Sequence, residues 1–255
     1  MSWRTVVITG NAKLDYKMDY MVVRKSDMTT RIYIGEIGML IIESTAISLT
    51  TMLLSELTKH KIKIVFCDEK HNPQSELIPY YGSHDTSAKV RMQTQWSKEV
   101  KDNIWTEIVS EKIRKQSDHL KENDQEVQAD MLKQYVKEIE LGDKTNREGH
   151  AAKVYFNALF GLDFSRSKEC AINAALNYGY GILLSCFNRE VIANGYITQL
   201  GLFHNNMFNQ FNFASDLMEP FRILVDREVV NMSMTEFAQD EKMRLVDILN
   251  QEVVI

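Results

Sequence analysis

Glu148, His204, Asp216 and Glu219 are the residues whose types could act together in chemistry. Two carboxylates and one neutral imidazole, with positions left for water and substrate, suit Mg2+ or Mn2+ better than zinc. A cation so held lowers the pKa of an attacking hydroxyl or water and offsets charge on a phosphate oxygen. Each residue also has an account that needs no chemistry. Thr145-x-x-Glu148 has the form of a capping box, which would tie the carboxylate to backbone. His204 follows Gly201 and precedes a run rich in Asn and Phe, and a lone histidine commonly serves as a hydrogen-bonded structural residue. Asp216 and Glu219 share a helix face at this spacing. Pro220 is tolerated only in a first turn, which predicts a helix N-terminus there, where acids complement the helix dipole. Spacing leaves both accounts open.

The elements that must position these residues fall into two parts. The first 80 residues read as strands, with alternation from Leu14 to Val22, further strands at Trp3–Thr9 and Arg31–Ile34, and a β-rich run at Ile62–Cys67. Leu49–His60 reads as a short helix, and Asn72-Pro73 as a turn. After residues 78–86 the apolar spacing becomes helical, beginning with Met92, Trp96, Val100, Ile104 and Ile108. The expected fold is α+β: a small N-terminal β-sheet domain over 1–78, a linker over 79–86 with Pro79 and Gly82 as a hinge, and a larger all-α domain over 87–255. A helix with Ala151, Ala152, Tyr155, Phe156 and Leu159 on one face should stop at Gly161. Ala171–Thr198 reads as one long buried helix. Gly179 and Gly181 within it each cost about 1 kcal/mol relative to alanine, which implies close approach of another backbone or a ligand.

Composition sets outer limits. The chain has 255 residues, 44% hydrophobic, enough for a substantial core. No apolar run approaches the roughly 18 residues that span a membrane. The first residues lack the layout of a signal peptide, so the cytoplasm is the expected compartment. Three cysteines without a CxxC indicate neither a disulfide framework nor a cysteine zinc site. The formal charge of −5 argues against nucleic acid as a partner, because phosphate contacts need Lys and Arg. Part of that charge is local: residues 118–140 carry seven acids and three lysines, whereas 87–117 carry seven basic residues and four acids. Walker A, HExxH and GxSxG motifs are absent.

Taken together, several stretches resemble a known family: Asn146-Arg147-Glu148-Gly149-His150-Ala151-Ala152, Tyr155-Phe156-Asn157, Leu176-Asn177-Tyr178-Gly179-Tyr180, Gly201-Leu202-Phe203-His204 and Ala214–Arg222. Trp3-Arg4-Thr5-Val6-Val7 and Pro79-Tyr80-Tyr81 are also similar. The family is the integrase/endonuclease subunit that inserts new spacers into CRISPR arrays, in the form that accompanies a single-protein effector nuclease (type II). The resemblance implies that Glu148, His204 and Glu219 are catalytic metal ligands for Mg2+ or Mn2+, with Glu219 where many relatives carry Asp. It implies an auxiliary place for Asp216 beside the ligands. It also implies a homodimer formed through the β-domain, and a heterohexamer with a dimer of a small ferredoxin-fold CRISPR-associated partner. The acidic 118–140 segment departs from a DNA-binding surface, and the chain ends sooner after Glu219 than this form leads one to expect.

The expected reaction is attack by a DNA 3′-hydroxyl on a phosphodiester at a repeat boundary of double-stranded DNA. Arg147, Arg166 and Arg222 are guesses for phosphate contacts, and base-reading side chains cannot be located. Two alternatives stand beside it: a hydrolytic metal-dependent nuclease that does not join strands, and a non-catalytic scaffold for a DNA complex.

Overall fold

The computed structural model describes residues 4–79, 83–232 and 235–250. Trp3 and Tyr80-Tyr81 of the matching stretches, and Gly82 of the expected hinge, lie outside them.

The chain divides into two compact units, residues 1–81 with 246–255, and residues 82–245. The first holds β1 (Arg4–Ile8), β2 (Ala12–Lys17), β3 (Tyr20–Arg24), β4 (Thr29–Tyr33), β5 (Ile37–Ile42), β6 (Ile47–Leu49), α1 (Thr51–Lys59), β7 (Lys63–Cys67) and β8 (Pro73–Leu77). They form two four-stranded sheets, ordered β1-β5-β7-β8 and β4-β3-β2-β6. Both sheets and α1 feed one core that includes Leu14, Met21, Leu40, Leu53, Leu57 and Ile64. β5 is buried at every position because it lies between two parallel neighbours, β1 and β7.

Three local readings of this unit change. The alternation from Leu14 to Val22 is not one strand but a hairpin, with Lys17 paired to Tyr20. Met18 and Asp19 both take positive φ, which matches the twist of a two-residue turn. Asp19 then accepts a hydrogen bond from the Tyr16 hydroxyl at 2.9 Å. Pro73 does not merely turn the chain but opens β8, a sheet-edge strand that tolerates proline at its first position. The last residues depart from the expected 87–255 domain. Val246 and Ile248 are buried, Asn250 Oδ1 accepts from the Thr5 amide at 3.3 Å, and residues 246–250 belong with the strands.

The second unit holds α2 (Thr86–Thr94), α3 (Lys98–Glu122), α4 (Glu126–Lys137), α5 (Arg147–Phe160), α6 (Ala171–Ala193), α7 (Asn212–Met218) and α8 (Arg222–Met232), and most of α9 (Gln239–Asp247). Among the described residues no helix is long and apolar enough to cross a membrane. At 25 residues, α3 spans about 37 Å and serves as the spine. The apolar spacing from Met92 to Ile108 crosses a break where Ser97 caps α3, its Oγ accepting from the Val100 amide. Met92, Val100 and Ile104 are exposed; the core face lies one residue round, at Trp105, Val109, Ile113 and Leu120. α5 stops at Gly161, which takes φ 95°. The long helix ends at Ala193 rather than Thr198, with Gly195 at φ 81°. A Cβ on Gly179 would lie 2.5 Å from a Val225 methyl, so its close neighbour is a side chain of α8 rather than backbone or a ligand.

Candidate metal centre

Glu148 stands in the first turn of α5. The expected capping box does not form. Asn146 is the cap, in the left-handed region at φ 53°, and its Oδ1 accepts from the Gly149 amide at 3.3 Å. The buried Asp143 carboxylate accepts from the amides of Arg147 and Glu148 at 2.7 and 3.0 Å. These two residues satisfy the orphan amides of the helix start, and the Thr145 hydroxyl is left buried without a partner. The Glu148 carboxylate is therefore not spent on backbone.

His204 lies in the loop between α6 and α7, and Asp216 on α7 organises that loop. Asp216 is fully buried. Its Oδ2 accepts from the amides of Leu202 and Phe203, and its Oδ1 accepts from the His204 amide at 3.0 Å. The same Oδ1 lies 2.6 Å from His204 Nδ1. A carboxylate on Nδ1 fixes the tautomer with its proton there and leaves Nε2 a lone pair to offer a metal. The hydrogen bond to Asp216 raises the ring's pKa above its ordinary value, against burial and with help from the Asp216 and Glu219 charges. Trp105 stacks on Phe203 at 4.4 Å and meets the His204 ring edge-on at 5.7 Å. Gly201 is required here: a Cβ would lie 2.5 Å from the His204 carbonyl and 2.7 Å from Asp216 Oδ2.

Glu219 opens a single 3-10 turn, Glu219–Phe221, that joins α7 to α8. Pro220 thus sits in a first turn as expected, but of this short turn, while Asp216 lies near the C-terminal end of α7 rather than at a helix start. Glu219 is buried. Its Oε2 accepts from Lys112 Nζ at 2.6 Å, and its Oε1 pairs with Arg222 at 2.9 Å. Burial pushes the Glu219 carboxyl up, but the Lys112 and Arg222 charges outweigh it and hold the pKa below the usual range. Lys112 Nζ also donates to Glu148 Oε1. Burial alone would lower the lysine's pKa, yet Glu219 and Glu148 together raise it. Both shifts favour the charged forms of Lys112 and Glu219.

Glu148 and Glu219 are thus brought to one point, with an ammonium between them. His204 stands with Asp216 on the adjoining loop. As the side chains lie, no three of the described His, Cys, Asp or Glu residues gather in a grip on an ion. The donor set still fits a hard cation: two carboxylates that already share a positive charge, and an imidazole held in the ligating tautomer. Beside them is a cavity of about 200 Å³ lined by Lys112, Glu148, Arg166, Tyr180, Glu219 and Arg222.

Of the three arginines proposed for phosphate, Arg222 is taken by Glu219 and Arg147 by Glu138 at 2.8 Å. Arg166 hydrogen-bonds Asn173 and Asn177, lies over the Phe156 and Tyr180 rings, and has no ion pair with a carboxylate among the described residues, so it brings a positive charge to the cavity. Lys112 was missed as a site residue. A helical reading of α3 in register with Trp105, Val109 and Ile113 places it on the buried face, and a lysine there needs acidic partners.

Comparison with known proteins adds four findings. The family model described as CRISPR associated protein Cas1 matches residues 5–245. The chain is 32% identical to the CRISPR-associated endonuclease Cas1 of Neisseria meningitidis serogroup C, over 100% of its own length and 86% of that protein's. Among solved structures, a CAS1 protein from Thermotoga maritima shares the fold at TM-score 0.80 and 19% identity, covering 97% of this chain and 89% of that one. A casposase bound to its integration product shares it at TM-score 0.78 and 18% identity, covering 98% and 82%.

Proposed function

Since the chain belongs to the CRISPR-associated protein Cas1 family, we propose that it is a metal-dependent DNA integrase and endonuclease that inserts short DNA fragments into a CRISPR array. The observation that carries this reading is the convergence of Glu148 and Glu219 on one buried cation, beside a histidine oriented by a buried carboxylate.

In this reading Glu148, Glu219 and His204 would hold Mg2+ or Mn2+. The ion, when bound, acidifies the attacking hydroxyl and offsets charge on the phosphate oxygens. The chain's own residues do the rest. Asp216 keeps His204 in one tautomer and one orientation. Arg222 fixes the second oxygen of Glu219, so that carboxylate keeps its direction. Arg166, which lines the cavity, would meet the phosphodiester there. The 3′-oxygen of the incoming fragment bonds to phosphorus as the bond to the leaving 3′-oxygen breaks, and the hydroxyl proton passes to solvent or to the leaving oxygen. One phosphodiester replaces another, so no nucleotide cofactor is required. Holding the attacking and leaving oxygens in line supplies much of the rate.

The substrates are the double-stranded fragment and the repeat-bearing DNA. The protein works as a homodimer with a small ferredoxin-fold partner, in the cytoplasm. Phosphate contacts draw on the basic 87–117 stretch, and α4 lies in the acidic segment that departs from a DNA-binding surface. Hydrolysis at the same site is the second reading, favoured by the word endonuclease in the Neisseria relative's name.

A labelled DNA fragment with a free 3′-hydroxyl, incubated with a repeat-bearing plasmid and Mn2+, tests the assignment. Joined product should form with the wild type and be lost in Glu148→Ala, which retains DNA binding and self-association. Nicking without joined product establishes the hydrolytic reading instead, and undiminished joining by Glu148→Ala refutes the site.

A further inference from the structure

Lys112 is the one component of the carboxylate pair that the proposed reaction does not use. Its side chain is 9% exposed, and its ammonium is shared between Glu148 Oε1 and Glu219 Oε2. The buried Glu219 carboxylate facing the partly exposed Glu148 carboxylate without a cation would be destabilised, as would a buried ammonium without acceptors. Lysine therefore satisfies the same electrostatic demand that a divalent ion would. The two cations cannot occupy the same oxygens at once, because like charges repel at close range where water screens poorly.

The surroundings decide which partner gives way. Glu148 projects from the first turn of a helix anchored by Asp143 and Asn146. Glu219 is held through its other oxygen by Arg222. Lys112 has no second set of acceptors among its bonds, and it carries a long flexible stem that borders the cavity of about 200 Å³. We propose that Lys112 is a resident cation of the site: it holds Glu148 and Glu219 together without a divalent ion, competes with that ion for the same oxygens, and swings into the cavity, toward the phosphodiester, when the ion binds. This rests on the reading that the two carboxylates hold the metal.

The test is Mn2+ affinity, measured calorimetrically on the full chain without DNA. Lys112→Met removes the competitor at similar length and should bind Mn2+ about tenfold more tightly or better, because the binding-competent state no longer has to be freed from the ammonium. Glu148→Gln should lose Mn2+ binding. If Mn2+ binding depends on Glu148 but Lys112→Met binds no more tightly, the competition is refuted and the metal site stands. If Glu148→Gln binds Mn2+ as the wild type does, the metal reading fails and the inference fails with it. A wild-type readout covers a variant that does not fold. In protein labelled with 13C-lysine, the Lys112 Cε resonance, assigned by its loss in Lys112→Arg, should shift as Mg2+ is added. A resonance unmoved at saturating Mg2+ overturns the proposal.

Discussion

Asp226 borders the cavity, fully buried, and accepts a hydrogen bond from the Tyr180 hydroxyl. His119 Nδ1 lies 2.7 Å from the Tyr155 hydroxyl. Burial holds His119 down to about 4, so its ring is neutral at pH 7. Burial raises Asp226 to about 6, from 3.8 for an unperturbed carboxyl, against the tyrosine hydrogen bonds. Between those two values the folded protein keeps a proton that the unfolded chain has released, so stability falls as pH rises through the interval. Asp226→Asn should therefore gain on the wild type by about 3 kcal/mol between pH 3.5 and pH 7.5, read from urea unfolding at both pH values. An equal gap at both would show that Asp226 does not titrate this way. At this scale the sequence named the site's acids and histidine only through family resemblance, since each had a structural account of its own. Lys112 and Asp226 went unread because the α3 stripe was followed one residue off the core face and the apolar register of α8 was not traced; each sits on the buried face of its helix.

Helix starts and loops carry the placement of the site. Asp143 holds the first amides of α5 and so sets the direction in which Glu148 leaves the helix. Asp143→Ala should cost about 1 kcal/mol of stability, the usual worth of a cap. It should also lower strand joining more than it lowers DNA binding, as read by paired joining and anisotropy assays. Equal loss of both would mean that the cap supports the fold alone. The capping box suggested by Thr145 and Glu148 was a fair pattern, but Asp143 and Asn146 reach the same amides first. The hairpin at Met18-Asp19 went unread because methionine seldom takes positive φ and no Asn-Gly marked the turn. The stripe from Met92 to Ile108 misled because spacing of four across a capped break follows one side of two helices, not the side that faces the core.

Over the whole molecule, the order of strands first and helices after was legible from the change in apolar period, because the two periods differ strongly. The return of residues 246–250 to the strand-rich unit was not, since a short apolar run at a chain end has no period. Ending the chain at Leu245 removes buried Val246 and Ile248 and should destabilise that unit by roughly 3 kcal/mol or more. Hydrogen exchange of the β1 and β5 amides should quicken accordingly, and unchanged exchange there would show that the C-terminal residues add nothing to the unit. The proposed chemistry requires that Glu148, His204 and Glu219 grip a single ion. The most direct measurement is an anomalous difference map from crystals soaked in Mn2+. One peak bounded by those three side chains, with Lys112 moved off the carboxylates, is the expected result. A peak elsewhere, or none while Lys112 still bridges Glu148 and Glu219 at saturating Mn2+, would contradict it.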